Sequence, residues 1–449
     1  MIEMVFSRDA YLKKLIERQN NGLIKIITGA RRAGKSYLMN ELYYHHLISS
    51  GTDERHIIRF AFDSDEDIDL LEDFLPELPT RIPVPGKKNL TLINARKFRA
   101  WLSSTTNETD MFYLLLDEVQ LLENFVGTMN SLLRHSNFDI CITGSNSRFL
   151  SKDIATEFKG RGSEIHVLPL TFAEYISGFS GTQEEAWRSY LETGGLPVVA
   201  QMRTRDEQID YLRNLCDEVY LKDIVERNGL RNDAVLADLF SVLASCIGSG
   251  INPTIIANTF QSVLHKKVTD DTMNSYLRCL EDAYVVSKAD KYEISGRKYI
   301  SAPYKVYFED IGVRNARLNF KRIEEGHLLE NIIYNELRSR GFSVSVGQLN
   351  VNEMTDRISA SGKKIYKQKA LEVDFVAVRG NQQYYLQVCL HMDDDQTVYR
   401  ESRPLTAIRD SFQKIIITKD GLRPRRDEQG IIIMDVFDFL LNPNLQEIL

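Results

Sequence analysis

Residues 29–36, Gly-Ala-Arg-Arg-Ala-Gly-Lys-Ser, match the pattern G-x-x-x-x-G-K-[ST] of loops that cradle phosphate groups. Glycine lets backbone N–H groups curl around an anion, and the N-terminus of the following helix adds a partial positive charge. Lys35 is placed to reach the β- and γ-phosphates of ATP, and Ser36 is placed to ligate Mg²⁺. The predicted nucleotide site comprises Gly29, Ala30, Arg31, Arg32, Ala33, Gly34, Lys35, Ser36 and Tyr37.

Two carboxylates follow the apolar run Leu114–Leu116 and form a second candidate group. Asp117 at the end of a buried strand can hold the Mg²⁺ shell. Glu118, one residue further on, can act as general base and polarise an attacking water. The alternative is an acidic strand end of the kind common on protein surfaces. Gln120 could help to orient the water, and a plain polar loop residue is an equal alternative for it.

Two further positions are candidates for sensing or completing this site. The segment Thr143-Gly144-Ser145-Asn146 ends the next strand, so Asn146 or Ser145 could sense the γ-phosphate, with a turn-forming role as the alternative. Arg161 lies in the Gly-flanked segment Lys159-Gly160-Arg161-Gly162. An arginine held there could be a finger for a neighbouring subunit's nucleotide, or simply a solvated loop residue.

The elements that must position these residues alternate between strand and helix. Short apolar runs predict strands at Leu23–Thr28, His56–Asp63, Met111–Asp117, Asp139–Thr143 and Glu164–Pro169. Continuous apolar strands of this kind are typical of a parallel sheet that is buried on both faces. A Pro- and Gly-containing surface loop is predicted at 80–89, and helices are predicted over 171–228.

The motifs resemble those of prokaryotic AAA+-superfamily ATPases that carry a nuclease-like C-terminal domain. This resemblance implies a P-loop NTPase fold in which the strand with Asp117 is the third of five, and in which Arg161 has the arginine-finger position. It also implies an architecture more firmly than a task. The residues that carry the resemblance are the 29–36 loop, Asp117–Gln120, Thr143–Ser145, Gly160-Arg161, Pro169–Tyr175, Gly194–Pro197 and Tyr220–Ile224.

Residues 230–322 have the composition and pattern of a winged helix-turn-helix. Helices are predicted at Asp233–Ile247, after the Asn252-Pro253 cap, and from Thr269 to Asp282, followed by strands at Tyr284–Lys288 and Lys298–Phe308. The segment carries 13 Lys and Arg against 10 Asp and Glu, a net charge of +3. A hairpin could therefore grip DNA phosphates, and a protein-binding winged helix is the open alternative. The hairpin cations are Lys288, Lys291, Arg297 and Lys298.

Residues 323–449 resemble the restriction-endonuclease-like fold, in degenerate form. That family places a Glu on the opening helix, an Asp on one strand and E-x-K on the next. Glu330 and Asp374 match the first two positions, but Gln387-Val388-Cys389 replaces E-x-K. Because an amide and a thiol poorly replace a metal-binding carboxylate and a lysine, we expect a scaffold that binds DNA or another partner, not an active nuclease. A polar stretch at Asn352–Lys369 is predicted to be an inserted loop.

Composition bounds the class of protein. The chain has 449 residues, 43% hydrophobic and 27% charged, with a net charge of −7, so it can bury several cores and contacts nucleic acid only through a local patch. Its apolar runs are too short to span a bilayer, and no signal peptide is recognised at the start. Five cysteines without close pairing point to a reducing cytosol and not to a disulfide framework or zinc site.

These observations predict an ATPase with ATP and Mg²⁺ as ligands. We expect an AAA+-like ATPase domain at 1–228, a winged helix at 230–322 and a degenerate nuclease-like domain at 323–449, in a cytoplasmic homo-oligomer. Its ATP cycle would drive either a DNA remodelling or repair step, or a nucleotide-dependent switch that binds protein partners. An ATP-gated nuclease is the third and weakest reading.

Overall fold

Five apolar segments of the N-terminal part form one parallel β-sheet with the spatial order β2-β5-β6-β1-β7. Every residue of β1 and of β5 is buried, so both strands are predominantly apolar and show no alternation, and the buried Lys25 of β1 is paired with Asp139. The prediction of a parallel sheet is confirmed, and Asp117 ends the third of the five strands in chain order. The strands are β1 (Ile24–Thr28), β2 (Ile57–Ala61), β5 (Phe112–Asp117), β6 (Phe138–Thr143) and β7 (Gly162–His166).

Helices cover both faces of this sheet, because successive strand residues point to opposite sides. Leu114 and Leu116 pack into one core with Phe98, whereas Tyr113 and Leu115 belong to the other core. Two short strands pair with each other: β3 (Arg81–Pro83) lies within the segment expected to be loop, and β4 (Thr91–Ile93) lies just after it. The helices are α1 (Asp9–Ile16), α2 (Lys35–Tyr37), a π-helix (Leu38–Tyr43), α3 (Tyr44–Ser49), α4 (Asp65–Glu72), α5 (Ala95–Thr105) and α6 (Phe125–Leu132).

This computed structural model describes residues 6–84, 91–144, 158, 160–230, 233–265, 268–321, 323–358, 364–421 and 423–442. They divide into two compact units. The first unit holds the parallel sheet and consists of Phe6–Pro169 with Asp282–Tyr284. The second unit runs from Leu170 to Glu281 and continues from Val285.

The first unit ends at Pro169, which differs from the domain boundary expected at residue 228. Residues between Leu170 and 228 form buried hydrogen bonds with distant residues of the second unit. The Asp310 carboxylate accepts a hydrogen bond from the Gly195 backbone N–H at 2.8 Å, and Asn315 Nδ2 donates to the Leu191 carbonyl at 2.8 Å. Partners more than a hundred residues away cannot be recognised from local sequence pattern.

Helices dominate the beginning of the second unit. The helix caps predicted at Asn252 and Thr269 are present, since Asn252 Oδ1 accepts from Ile255 N at 2.7 Å and Thr269 Oγ1 accepts from Thr272 N at 3.3 Å. The helices are α7 (Phe172–Ser177), α8 (Gln183–Thr193), α9 (Pro197–Ala200), α10 (Arg205–Asn214), a π-helix (Leu215–Leu221), α11 (Lys222–Asn228), α12 (Asp233–Ser245), α13 (Pro253–Val263), α14 (Asp270–Asp282), α15 (Ile311–Arg317), α16 (Glu325–Ser339), α17 (Asp395–Thr406) and α18 (Val436–Leu441).

Nine strands of the second unit form one mixed sheet with the order β15-β16-β14-β13-β12-β11-β9-β10-β8. The hairpin β9–β10 continues into the C-terminal strands because β9 pairs with β11 in parallel, with Lys291 opposite Val346. The domain boundary expected at residue 322 would therefore divide the strands of one continuous sheet between two domains. The strands are β8 (Gly250–Ile251), β9 (Val286–Glu293), β10 (Lys298–Phe308), β11 (Ser343–Ile358), β12 (Lys364–Arg379), β13 (Gln382–Val388), β14 (Gln413–Thr418), β15 (Arg425–Arg426) and β16 (Ile432–Asp435).

The inserted loop expected at Asn352–Lys369 is wrong for the described residues. Strands β11 and β12 run through much of this stretch as an antiparallel pair, with Asn352 opposite Gln368 and Glu353 opposite Lys367. Residues 366–370 are exposed. Because this part of the pair is exposed, its sequence is mostly polar and carries no period-two signal for a strand.

Among the described residues, no helix combines the length and apolarity needed to cross a bilayer. All five cysteines carry free thiols.

Candidate functional site

The loop between β1 and α2 has the backbone that a phosphate cradle needs. Gly29 has φ of 139°, and a Cβ placed there would collide with the Val167 carbonyl oxygen, so only glycine fits. Gly34 has φ of 92° and lies directly before α2. Arg32 also takes a positive φ of 66°. These turns fold the chain into a tight loop that ends at a helix N-terminus.

Lys35 lies inside this loop. Its side chain is buried, and Nζ donates to the carbonyl oxygens of Gly29 at 3.0 Å and Ala30 at 2.9 Å. The neighbouring Ser36 is exposed in the first helical turn. An ammonium group and a helix N-terminus thus lie together at the carboxyl end of β1, and both favour an anion. The helix continues through the π-helical segment from Leu38, an uncommon geometry that is frequent at functional sites.

Asp117 is the acidic centre of the same sheet edge, two strands away from the loop. Its carboxylate is buried and accepts three hydrogen bonds. Thr143 Oγ1 and the Glu118 backbone N–H donate to Oδ1, the latter at 3.0 Å. Asn40 Nδ2 donates to Oδ2 at 3.3 Å. Because Thr143 is also the register partner of Ile27 on β1, it links the loop strand to Asp117.

Glu118 is held in a conformation that is rare for a residue with a side chain. Its φ of 50° and ψ of 42° lie in the left-handed region, immediately before the short 3₁₀ turn Val119–Leu121. Gln120 Nε2 donates to the Glu118 carboxylate. The side-chain amide oxygen of Gln120, Oε1, is buried and accepts no hydrogen bond from the described residues. Gln120 therefore orients Glu118, a contact that the sequence did not predict.

Asp63 adds a third carboxylate that sequence reasoning did not single out. It follows the end of β2, where Ala61 is the register partner of Asp117. Burial and the neighbouring carboxylates of Glu118 and Asp117 raise the pKa of Asp63. Carboxylate and hydroxyl oxygens are the ligands that Mg²⁺ prefers, so the concentration of negative charge here fits a divalent cation. An acidic residue at the end of a predicted strand was the available signal.

The other predicted residues of this site have different outcomes. Arg161 is exposed and precedes β7, whereas the loop follows β1 at the opposite edge. Five residues of strand separate these edges by roughly 16 Å, so Arg161 does not reach the loop of its own chain. Its guanidinium donates to Asn130 Oδ1 at 3.4 Å. Asn146 and Ser145 lie outside the described residues.

In the second unit, Glu330 and Asp374 both lie near the Lys305 ammonium, and Asp374 contacts Gln387. Glu330 lies on α16, Asp374 on β12 and Gln387 on β13. The Gln387 amide is hydrogen-bonded at both its oxygen and its nitrogen, since it accepts from Asp374 N at 3.2 Å and donates to Glu401 at 3.1 Å. Burial and nearby acidic groups raise the pKa of the Cys389 thiol to about 12, which disfavours the nucleophilic thiolate at neutral pH.

Lys305 on β10 completes this cluster and was missed by sequence reasoning. Its Nζ lies 2.9 Å from a carboxylate oxygen of Glu330, 2.9 Å from Glu372 and 3.9 Å from Asp374. Burial alone would lower the pKa of Lys305, but the three carboxylates outweigh burial and raise it. Lys305 therefore carries its charge inside the cluster. No local motif indicates this lysine, because it lies about 70 residues before Asp374 in the chain.

The cations of the β9–β10 hairpin are mostly paired within the chain. Lys288 Nζ lies 2.8 Å from Asp290, Lys291 Nζ lies 3.2 Å from Glu372, and Lys298 Nζ lies 3.2 Å from Glu293. Arg297 is exposed at the turn. The positive surface expected for phosphate contacts is thus smaller than the residue count implied.

Two family models match the chain. Residues 21–176 match the family described as an AAA domain, which includes the phosphate loop, Asp117 and Arg161. Residues 184–324 match a domain of unknown function, which spans the helical segment and the β9–β10 hairpin.

Similar proteins occur in distant organisms. An uncharacterized protein of Haemophilus influenzae is 29% identical over 448 residues, covering 98% of this chain and 100% of that protein. An uncharacterized protein of Methanocaldococcus jannaschii is 27% identical over 405 residues, covering 87% and 78%. Among solved structures, the Aeropyrum pernix ORC1 protein in complex with DNA is 14% identical with a TM-score of 0.33, covering 70% of this chain and 93% of that one. Pyrobaculum aerophilum CDC6P is 15% identical with a TM-score of 0.30, covering 73% and 94%.

Proposed function

We propose that this chain, whose residues 21–176 match the family described as an AAA domain, binds ATP with Mg²⁺ and hydrolyses it to ADP and phosphate. The observation that carries the proposal is the placement of buried Lys35 and buried Asp117 at one edge of the parallel sheet, with Thr143 between them. This edge offers a cationic cradle for phosphate beside an anionic pocket for a metal ion.

Each residue has a defined task in this proposal. Backbone N–H groups of residues 29–36 and the Lys35 ammonium hold the β- and γ-phosphates, while Ser36 and Asp117 hold Mg²⁺. When bound, Mg²⁺ neutralises charge on the phosphate oxygens. Glu118 accepts a proton from the attacking water while the water oxygen bonds to the γ-phosphorus. The bond between the γ-phosphorus and the oxygen that bridges it to the β-phosphate breaks at the same time, which releases ADP. Gln120 keeps the Glu118 carboxylate in place.

Two roles in the proposal depend on parts of the site beyond this edge. Asn146 would sense the γ-phosphate. Arg161 would complete the site of a neighbouring subunit, which fits its exposure and its position at the opposite sheet edge. An assembly of several copies would then be needed for full activity, because a finger acting in trans contributes about 10³–10⁵ in rate where it operates.

The experiment is steady-state phosphate release by the full chain with Mg²⁺ and ATP. Glu118→Gln serves as the blank, because it keeps the size of the side chain and removes its ability to accept a proton. Magnesium-dependent turnover that the blank lacks supports the proposal. Equal phosphate release by the parent and by Lys35→Ala would refute it.

For the second unit we propose DNA binding through a winged helix at 230–322 and a nuclease-like domain from 323. Helix α12, strand β8, helices α13 and α14 and the β9–β10 hairpin follow one another in the order of a winged helix. Strand β8 pairs with β10, which gives the small sheet of such a domain. ATP turnover would then rise with one form of DNA, whether duplex, single-stranded or branched.

A second candidate is a nucleotide switch that docks proteins instead of DNA. The pairing of Lys288, Lys291 and Lys298 with carboxylates favours it, since a phosphate backbone would have to displace those partners. Slow ATP turnover that is indifferent to every DNA form would decide for the switch.

A further inference from the structure

The cluster around Lys305 is built from three separate elements of the second unit. Strand β10 supplies Lys305, helix α16 supplies Glu330, and strand β12 supplies Glu372 and Asp374. Lys305 is buried, and its ammonium makes 2.9 Å contacts with both Glu330 and Glu372. The ion pairs therefore join a hairpin strand to a helix and a strand that follow it in the chain.

Other groups of the second unit also contact oxygens of the cluster. Tyr307 OH donates to the same Glu330 oxygen as Lys305, at 2.6 Å. The Val388 backbone N–H donates to Asp374 Oδ2 at 2.8 Å, and Lys291 pairs with the second Glu372 oxygen at 3.2 Å. Gly248 closes the far side of Glu330, where an added Cβ would come within 2.9 Å of Oε2.

A divalent cation does not fit among these residues as they stand. In a nuclease-like domain the acidic side chains on the opening helix and the strands would share Mg²⁺, at oxygen distances of about 2.1 Å. Here the Lys305 ammonium already contacts oxygens of Glu330 and Glu372 and lies near Asp374. A metal ion at that point would face a like charge within a few ångströms, in a setting that screens little. The charges are already nearly balanced, since Lys305 and Lys291 face Glu330, Glu372 and Asp374, and Glu401 pairs with Arg400 at 2.9 Å.

We propose that Lys305 is a tethered cation that takes the place of the metal ion in this cluster. The cluster then serves to fix the β9–β10 hairpin against α16 and β12, and it does not cleave DNA. Lysine and metal are mutually exclusive in this arrangement, so removing the ammonium leaves Glu330 and Asp374 without a counter-ion, while Glu372 keeps Lys291. A divalent cation is the natural replacement, because oxygen-rich acidic sites bind Mg²⁺ and Mn²⁺. The proposal is independent of the ATPase function, which uses residues of the other unit.

The test measures Mn²⁺ binding to the full chain without nucleotide. The amount bound is obtained from the decrease in the electron paramagnetic resonance signal of free Mn²⁺. Four proteins are compared: the parent, Asp374→Asn, Lys305→Met, and the Lys305→Met/Asp374→Asn double variant. Methionine keeps the length of the side chain and removes its charge. The expected result is equal binding by the parent and Asp374→Asn, and one additional Mn²⁺ per chain in Lys305→Met that the double variant lacks. Mn²⁺ sites elsewhere in the chain are the same in all four proteins, so their contribution cancels in these comparisons.

Two results would overturn the proposal. One is Mn²⁺ binding by the parent that Asp374→Asn abolishes, which would show that lysine and metal coexist. The other is a folded Lys305→Met protein that binds no more Mn²⁺ than the parent.

If Lys305→Met fails to fold without metal, recovery of its fold in Mn²⁺ supports the proposal. If it remains unfolded in Mn²⁺, the thermal unfolding of the parent and of Asp374→Asn decides. An equal response of both melting temperatures to Mn²⁺ supports the tethered cation. A Mn²⁺-induced rise that only the parent shows contradicts it.

Discussion

The hydroxyl of Thr143 donates a hydrogen bond to the carboxylate of Asp117, across the boundary between β6 and β5. Asp117 is buried, and a buried carboxylate needs donors to remain ionised. Thr143 lies beside Ile27 on the strand that leads into the phosphate loop. The contact thus sets the distance and orientation between the phosphate-binding and the acidic halves of the site.

We predict that Thr143→Val lowers ATP turnover, because the Asp117 carboxylate loses a donor while the size of the side chain stays the same. A hydrogen bond to a charged group is worth about 2 kcal/mol, so a loss of about 10-fold or more is expected. Thr143→Ser, which keeps the hydroxyl, is the control and should remain near the parent. A Mg²⁺ titration of turnover should show a weaker response in Thr143→Val alone. Equal curves for the two variants would show that the hydrogen bond has no part in catalysis.

Lys35→Ala is expected to abolish tight ATP binding, because the loop loses the only charged group that reaches into it from α2. Removal of a positioned donor in such a site costs about 100-fold or more. Lys13→Ala is a matched control, since Lys13 lies on an exposed face of α1 with a side chain that is 77% exposed. Equilibrium binding of a fluorescent ATP analogue measures both. Similar affinity for the two variants would contradict the assignment of the loop.

Glu118→Gln should bind ATP as the parent does and lose most of its turnover. Loss of a general base lowers the rate by about 10² to 10⁴. Single-turnover phosphate release, compared with filter-binding of ATP, separates the two effects. If Glu118→Gln instead loses ATP affinity with its rate intact, Glu118 has a binding role and another group accepts the proton.

Gly29→Ala is predicted to damage the loop through sterics and not through backbone conformation alone. An added Cβ would meet the Val167 carbonyl, whereas at Gly22, also at positive φ, it would meet nothing within 4 Å. Gly22→Ala should therefore cost about 1 kcal/mol of unfolding free energy, as expected for a left-handed residue. Gly29→Ala should cost about 2 kcal/mol or more and weaken ATP binding as well. Urea denaturation of both variants gives the comparison, and equal destabilisation would count against the steric account.

The hairpin provides the prediction that separates DNA from protein partners. If the hairpin grips phosphates, replacing Lys288, Lys291, Arg297 and Lys298 by alanine should weaken DNA binding and make its salt dependence shallower. Arg297→Ala alone, which disturbs no ion pair described above, should reduce the salt slope by about 1. Arg425→Ala, at an exposed position on β15, is the control. Unchanged DNA affinity in both hairpin variants would favour the protein-binding switch.

The sequence alone determined the parallel sheet and the phosphate loop. Buried strands require continuous apolar residues, and a tight phosphate turn requires glycine at fixed spacing, so both leave a local signal. Asp117 and Glu118 could be predicted for the same reason, since they directly follow such a strand. The polar β11–β12 extension and the boundary at Pro169 left no such signal. Exposed strands need no apolar alternation, and the partners of residues 170–228 lie far along the chain.

Only the tertiary structure decided which distant side chains share one site. Thr143, Asn40 and Gln120 acquire their positions from strand order and turn geometry, which place them around Asp117 and Glu118. Lys305 reaches Glu330, Glu372 and Asp374 because β9 pairs with β11 and draws the hairpin into the C-terminal sheet. The sequence pattern predicts which residues of a helix or strand are buried. The electrostatic partner of a buried charge depends on which elements become neighbours, and that is settled only when the whole sheet forms.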